Sequence, residues 1–253
     1  MLAILAAAGF GAGFVDSIAG GGGLLTVPAL LASGMPPILA LGTNKAQSSV
    51  GTAMATWRYH RAGLIVWRPL VPALLTTALG AALGAALVQI IKVATLKLII
   101  PVLMLAAILY FIISPRMTDE DSHQRLSMGA YALVASVIGF YDGFFGPGTG
   151  SFFAASLVAL AGMGLSRATG HTKALNVTSN LVSVLLFLRT GQILWAVALV
   201  MGVSNIAGAW IGSHLALKHG ARLIRPLLVL VSVGLTLRML LDPANPLRAL
   251  VLR

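Results

Sequence analysis

The sequence predicts an all-α polytopic membrane protein made of two homologous repeats, each holding a glycine-broken or re-entrant helix. Three observations carry this reading: a composition too apolar for a water-facing surface, apolar runs of bilayer length along nearly the whole chain, and an internal duplication about one polar linker. Of 253 residues, 58% are hydrophobic and 9% charged, whereas soluble chains average about 25% charged; the mean hydropathy is +0.95. Seventeen basic and six acidic side chains leave most of the outer surface to face lipid.

A hydrocarbon core about 30 Å thick needs roughly 20 mostly apolar residues per helical span. The chain opens with an apolar stretch at 2–33, interrupted by Gly20, Gly21, Gly22 and Gly23. With no basic flank and no clear cleavage site, it reads as mature protein rather than a secretory signal. Spans follow at 40–60, 68–91 and 95–114. Residues 114–125 carry Arg116, Asp119, Glu120, Asp121, His123 and Arg125 and form the plainly aqueous linker between a first repeat at 1–113 and a second at 126–253. The second repeat offers another glycine-interrupted stretch at 127–163, then spans at 172–191, 195–217 and 224–241.

The duplication is visible residue by residue. At an offset of 126, GFVDSIAGGGG (13–23) lies over GFYDGFFGPGT (139–149), matching Asp16 with Asp142, Gly20 with Gly146 and Gly22 with Gly148. After a two-residue insertion the register resumes at 128, with Gly42/Gly170, Lys45/Lys173, Arg61/Arg189, Trp67/Trp195, Gly80/Gly208 and Gly84/Gly212. Shared composition aligns Ala and Leu by chance, but not Asp, Lys, Arg, Trp and spaced glycines in one order.

Repeats around a midplane site are a transporter architecture, and corresponding glycine-interrupted segments point to the substrate. Unwound backbone survives at membrane depth only where it lines a cavity or is buried in protein. Four consecutive glycines, or Gly146-Pro147-Gly148-Thr149-Gly150, break a helix, whereas Gly80/Gly84 and Gly208/Gly212 read as close-packing pairs. The arms 2–19 and 24–33 are about 27 and 15 Å long, so each reaches roughly to midplane, and the second presents its positive N-terminal end there. If the glycine stretches are re-entrant, three spans per half remain and the repeats are inverted, the arrangement these arm lengths favour; four complete spans per half would leave them parallel. The distribution of basic residues separates the two only feebly.

The polar residues gather around these breaks. GTNKAQSS (42–49) supplies Thr43, Asn44, Lys45, Gln47 and Ser48, and GHTKALNVTSN (170–180) supplies His171, Thr172, Lys173, Asn176, Ser179 and Asn180. Intramembrane lysines are functional candidates, although lysines near a span end also snorkel to the interface. Two cations, two helix N-termini and neutral donors, with no acid in either string, make an oxyanion pocket. Asp16 and Asp142, each four residues before its glycine loop, could relay protons, pair with the lysines, or cap the broken helix. His171 breaks the pseudosymmetry and reads either as a titrating group or as a hydrogen-bonded structural one.

Several classes are excluded. Zero cysteines rule out disulfides, thiol catalysis and Cys-ligated zinc or iron–sulfur sites. A net charge of +11 is scattered between apolar runs, which argues against nucleic acid as partner. No nucleotide cassette, P-loop or metal-ligand pattern appears, so no cofactor and no metal are expected, and an ATP-driven pump is disfavoured.

The strings GFVDSIAGGGGLLTVPALL and ALGTNKAQSSVGTAMATWRYHRAGLI, with GFYDGFFGPGTGSFF and RATGHTKALNVTSNLVSVLLFLRTGQI, resemble the two repeats of the TauE/SafE sulfite exporter family of bacterial and archaeal membrane transporters. The resemblance covers essentially the whole chain. It implies a transporter in the cytoplasmic (inner) membrane, not an enzyme, exporting sulfite or small organosulfonates such as sulfoacetate. By matching position it carries over Gly20 to Gly23, Asn44, Lys45, Gly146 to Gly150, Thr172, Lys173 and Asn176 as the site. A passive anion channel, or an intramembrane enzyme or sensor using Asp16 and Asp142, stands as the alternative. The partners implied are a small anionic substrate and the bilayer, with homodimerisation open.

Overall fold

The computed structural model describes residues 1–113, 120–121 and 124–219. The span expected at 224–241 and much of the linker lie outside them. The described residues form helices and connecting turns: α1 (Leu2–Ala19), α2 (Gly23–Ala32), α3 (Pro37–Arg61), α4 (Trp67–Ile90), α5 (Val93–Ile113), α6 (Met128–Phe144), α7 (Thr149–Ala161), α8 (Leu165–Arg189) and α9 (Trp195–His219). This is an all-helical architecture, and α1, α4 and α9 are long and apolar enough to cross a membrane. Large apolar side chains on outward faces, among them Leu75, Leu79 and Leu83 of α4 and Leu199 and Val203 of α9, are 62–70% exposed, a surface suited to lipid rather than water.

Each glycine stretch turns the chain back on itself. α1 ends where Gly20 and Gly21 take φ of +77° and +100°, a region open to glycine without steric cost. α2 then runs antiparallel to α1: Gly22 abuts Ala12, Leu25 approaches Gly11, and Ala29, Ala32 and Ser33 share one groove with Ala8, Ile4 and Met1. The second hairpin repeats this. Gly146 and Gly148 have φ of +97° and +88°, Tyr141 packs edge-on against Phe152, Tyr131 Oη and Ser156 Oγ are 2.8 Å apart, and Leu126 N–H donates to the Leu160 carbonyl. The two hairpin tips touch: Ser151 Oγ donates to the Ala19 carbonyl at 2.7 Å, and a Cβ on Gly20 would lie 2.6 Å from the Gly150 carbonyl carbon.

The most extensive helix contacts join one half of the chain to the other, α4 with α6 and α1 with α9, followed by α3 with α9 and α8. Small residues permit this. Gly80 and Gly84 face the backbone of Ser136 and Phe140, and Gly208 and Gly212 that of Phe10 and Phe14. α3 and α8 cross in opposite directions: Gly42 lies against Gln192 just beyond the end of α8, while Thr52, further along α3, meets Asn180, further back in α8.

α8 begins at Leu165, seven residues before the expected span start at 172. Its first turn is polar because it sits at an aqueous end, where Asp121 accepts from the N–H of Gly164 at 2.7 Å and from Arg167 at 2.6 Å. The Gly164 N–H holds the Asp121 carboxyl below its usual range against slight burial, with Arg167 adding to the effect.

Gly84→Leu is expected to force α4 off α6, because a Cβ there already meets the Phe140 carbonyl and the Phe144 N–H. Overpacking of this kind costs about 1–3 kcal/mol or more. Fluorescence size-exclusion and thermal melts of the purified protein should show lower yield and a lower Tm; an unchanged melt would mean that the α4–α6 seam does not limit stability.

Candidate functional site

The polar halves of α3 and α8 deliver the two lysines to the hairpin tips. Lys45 and Lys173 are 2% and 0% exposed, so neither snorkels to the interface. Lys45 Nζ lies 2.5 Å from Asp142 Oδ1 and donates to Asn180 Oδ1 at 3.1 Å. Asp142 also accepts from the Ser179 hydroxyl. Lys173 donates to the backbone carbonyl of Asp16 and, at 3.2 Å, to its carboxylate. Each lysine therefore pairs with the aspartate of the other half. Isolated, any one of these ions would cost several kcal/mol to bury; paired and hydrogen-bonded, they can remain charged.

Between the pairs lies a cavity of about 30 Å³ lined by Asp16, Lys45, Asp142, Asn44, Asn176 and Asn180, with Ser48, Thr52, Thr149 and loop glycines 21, 23, 146, 148 and 150 completing it. The first turns of α2 and α7 thus border the cavity through Gly23, Thr149 and Gly150, although the N–H groups of Leu24, Leu25, Thr149 and Ser151 are already taken by the carbonyls of Gly21, Gly22, Gly146 and Gly148. Asn176 Oδ1 is buried with no hydrogen-bond partner among the described residues, as is Thr172 Oγ1.

This placement corrects the electrostatics expected from the sequence. The strings 42–49 and 170–180 contain no acid, but the cavity they border contains both aspartates, contributed by the hairpins. The pocket is not a pair of bare cations: Lys45 reaches it already paired, and Lys173 lies behind Asp16, outside the lining. Asp16 has a second partner, the Gly22 N–H at 3.4 Å, so it combines pairing with a weak cap.

Other candidates serve the scaffold. Thr43 Oγ1 accepts from the Leu194 N–H at 3.0 Å, and His171 Nε2 accepts from the Val66 N–H at 3.3 Å. These positions correspond at an offset of 128 on both sides of the bond, so the unlike residues do one job: each holds the start of a helix belonging to the other half. Gln47 bridges Asn44, Ser48 and, at 2.7 Å, Asn205 of α9. Gly20 and Gly22 allow close backbone approach and do not line the cavity. Thr26, which donates to Asn44 at 2.5 Å, and Thr52 escaped the sequence reading. Thr52 was detectable, since 44, 48 and 52 fall on one helical face and Thr52 corresponds to Asn180.

An all-helical, lipid-facing chain with a polar cavity enclosed at the tips of two broken hairpins is a membrane transporter in class. The comparisons agree: the family described as Sulfite exporter TauE/SafE matches residues 5–239, and the chain belongs to that family. It is 49% identical to "Probable membrane transporter protein ORF9" of Sinorhizobium sp, over 98% of this chain and 95% of the relative. It is 48% identical to a "Probable membrane transporter protein" of Haemophilus influenzae, over 96% and 95%, and 44% identical to "Probable membrane transporter protein YfcA" of Escherichia coli K12, over 91% and 86%. No solved structure matches the chain.

The pairing predicts a thermodynamic cycle. Lys45→Met leaves Asp142 uncompensated and should cost about 3–5 kcal/mol, whereas Lys45→Met combined with Asp142→Asn should cost clearly less than the sum of the two single changes. Thermal melts of the four purified proteins measure this; strictly additive losses would show that the two side chains do not interact energetically.

Proposed function

We propose that this transporter carries a small sulfur oxyanion or organosulfonate, such as sulfite or sulfoacetate, by alternating access around the cavity between its two halves. The observation that carries the reading is the crossed arrangement of Lys45–Asp142 and Lys173–Asp16 at the tips of two hairpins whose helix N-termini face one cavity. Lys45, Asn44, Asn176 and Ser48 together supply the donors that a sulfonate or sulfite oxygen accepts, beside the N-termini of α2 and α7. Family membership supports the substrate class and the export direction. The bacterial relatives support a cytoplasmic (inner) membrane location.

The halves are read as inverted repeats. Matched helices have matched lengths, 18 and 17 residues for α1 and α6, 25 and 25 for α3 and α8, and 24 and 25 for α4 and α9. α3 and α8 oppose one another, and the first hairpin returns to its starting side, leaving α3, α4 and α5 as three crossings in the first half. Three is odd, so the second half enters the bilayer upside down.

A cavity of about 30 Å³ holds one or two water molecules and no sulfonate, so the site must widen for substrate to enter, which supports a carrier over a passive channel. Both carboxylates are engaged by lysines, which disfavours a catalytic pair. For an anion to reach Lys45 it must displace Asp142, and a proton carried in on that carboxylate would keep the charge of the site unchanged. Asp142, and by symmetry Asp16, are the proposed coupling groups.

Reconstituted protein should exchange external for internal sulfite or sulfoacetate with saturation, and Gly148→Leu, which places a side chain at φ +88° in the cavity wall, should reduce exchange at least tenfold. Absence of countertransport for every sulfur oxyanion offered would overturn the substrate class.

In the same vesicles Asp142→Asn should retain exchange, because the amide mimics the protonated acid, while losing the response of net flux to a pH gradient. Full pH-driven flux in the Asn variants at both positions would assign the acids to structure alone.

A further inference from the structure

We propose that the lipid-facing seam where α3 and α9 end is a binding site for the phosphate headgroup of an anionic phospholipid. The helices run parallel there, and the last turn of α3 (Pro37–Arg61) meets the C-terminal half of α9 (Trp195–His219) in one cluster. Trp57 stacks on Trp210 with ring centroids 5.8 Å apart. The Arg58 guanidinium lies 4.4 Å above the Trp210 ring and 3.1 Å from His214 Nδ1, and that of Arg61 lies 5.4 Å from the Trp57 ring. Both indoles are 44% exposed. No carboxylate pairs with Arg58 or Arg61 among the described residues; the three ion pairs there use Asp16, Asp121 and Asp142. Lys218, one turn beyond His214, adds a further exposed cation on the same helix face.

Three features select a lipid over a soluble anion or a protein. Below the cluster, the exposed track continues through Val50 on α3 and Val203 and Leu199 on α9, an apolar bed for acyl chains directly under the cations. Stacked indoles below guanidinium groups form the usual order of a membrane interface, aromatic ring at headgroup level and charge above it. The end is also the more basic one: Arg58, Arg61, Arg68, Arg125, Arg167 and Lys218 gather there, against Lys92, Lys97 and Arg189 at the opposite end among the described residues. By the positive-inside rule this places the cluster at the cytoplasmic leaflet, whose anionic lipids attract such groups.

The pseudosymmetry supplies an independent argument. An offset of 128 carries Trp57 and Arg58 to Leu185 and Leu186, and carries Ala82 to Trp210. The architecture therefore folds its other half without this cluster. What one leaflet has and the other lacks is explained by a ligand found in that leaflet, and phospholipid charge is distributed in that way.

The test uses the full-length purified protein and follows retained lipid by native mass spectrometry, alongside thermal melts. Wild type should retain phosphatidylglycerol in preference to phosphatidylcholine, with a higher Tm in phosphatidylglycerol. R58Q and R61Q should each weaken retention about fivefold, and the double variant about 30-fold, given the typical contribution of one basic residue at a charged membrane surface; the single variants suffice should the pair fail to express. Arg189→Gln at the opposite end should leave retention unchanged. Equal phosphatidylglycerol retention by wild type and R58Q/R61Q, or an equal loss in Arg189→Gln, would overturn the site. Protection by inorganic phosphate equal to that by phosphatidylglycerol would overturn the lipid as its ligand.

Discussion

Two buried ion pairs constrain most of what this chain does. Lys45 with Asp142 and Lys173 with Asp16 place four charges among helices that otherwise bury apolar and neutral polar side chains. Neither lysine can be neutralised within its own half, because the acid it needs sits on the other half's hairpin. The halves are consequently interlocked: separating them would leave four uncompensated ions in a low-dielectric interior, at several kcal/mol each. The same requirement explains why the principal helix contacts run between halves, and why glycines recur along them. Lysine side chains reach the opposing aspartates only if α1 and α6 lie close to the rest of the bundle, and Gly9, Gly13, Gly139 and Gly143 let backbone meet backbone along α9 and α4.

The helix breaks follow from the same constraint. Asp16 is placed so that its carbonyl accepts both the Gly20 N–H that ends α1 and the Lys173 ammonium. The carbonyl closes the last i→i+4 bond of α1 and still offers the ammonium its second lone pair, whereas a helix running on through this point would continue away from the tip. The glycines turn the chain within a few residues, which brings the N-terminus of α2 back to the same depth as the acid. Acid, cation and helix dipole are thereby concentrated in one small volume, and the remainder of each hairpin is ordinary apolar helix.

Much of this was legible in the sequence, for identifiable reasons. Span positions 40–60, 68–91, 95–114 and 195–217 lie within one to three residues of α3, α4, α5 and α9 because lipid-length apolar runs leave few alternatives. The glycine strings marked the breaks because no helix accommodates them. What escaped was partnership. Sequence symmetry equates Lys45 with Lys173 and Asp16 with Asp142 but is silent on whether each acid meets its own lysine or the other, and the crossed pairing reverses the expected character of the pocket. Thr43 and His171 looked like ligand donors because they flank the lysines. In the structure they stand outside the cavity lining and accept from Leu194 and Val66, where they tie the helix starts of the opposite half. Thr26 lay in an apolar string, where a single hydroxyl carries no signal until Asn44 is seen opposite it.

The two pairs are related by the repeat but are not equivalent in detail, and the difference bears on how such a site turns over. Asp142 is 5% exposed, held by Lys45 and Ser179; Asp16 is 18% exposed, and Lys173 divides its protons between the Asp16 carboxylate and carbonyl. On the proposed inverted-repeat reading, such inequality is what two repeats held in different states within one conformation show. With charges already balanced, an arriving anion makes the site net negative unless a carboxylate takes up a proton or leaves the cavity. Lys45, the lysine that lines the cavity, is the cation available to the ligand, and Asp142 is the carboxylate that must give way for the ligand to reach it. On the proposed reading, substrate entry and carboxylate displacement are one event, and the exchange of tight and loose pairs between the halves is the step that passes the site from one face of the membrane to the other.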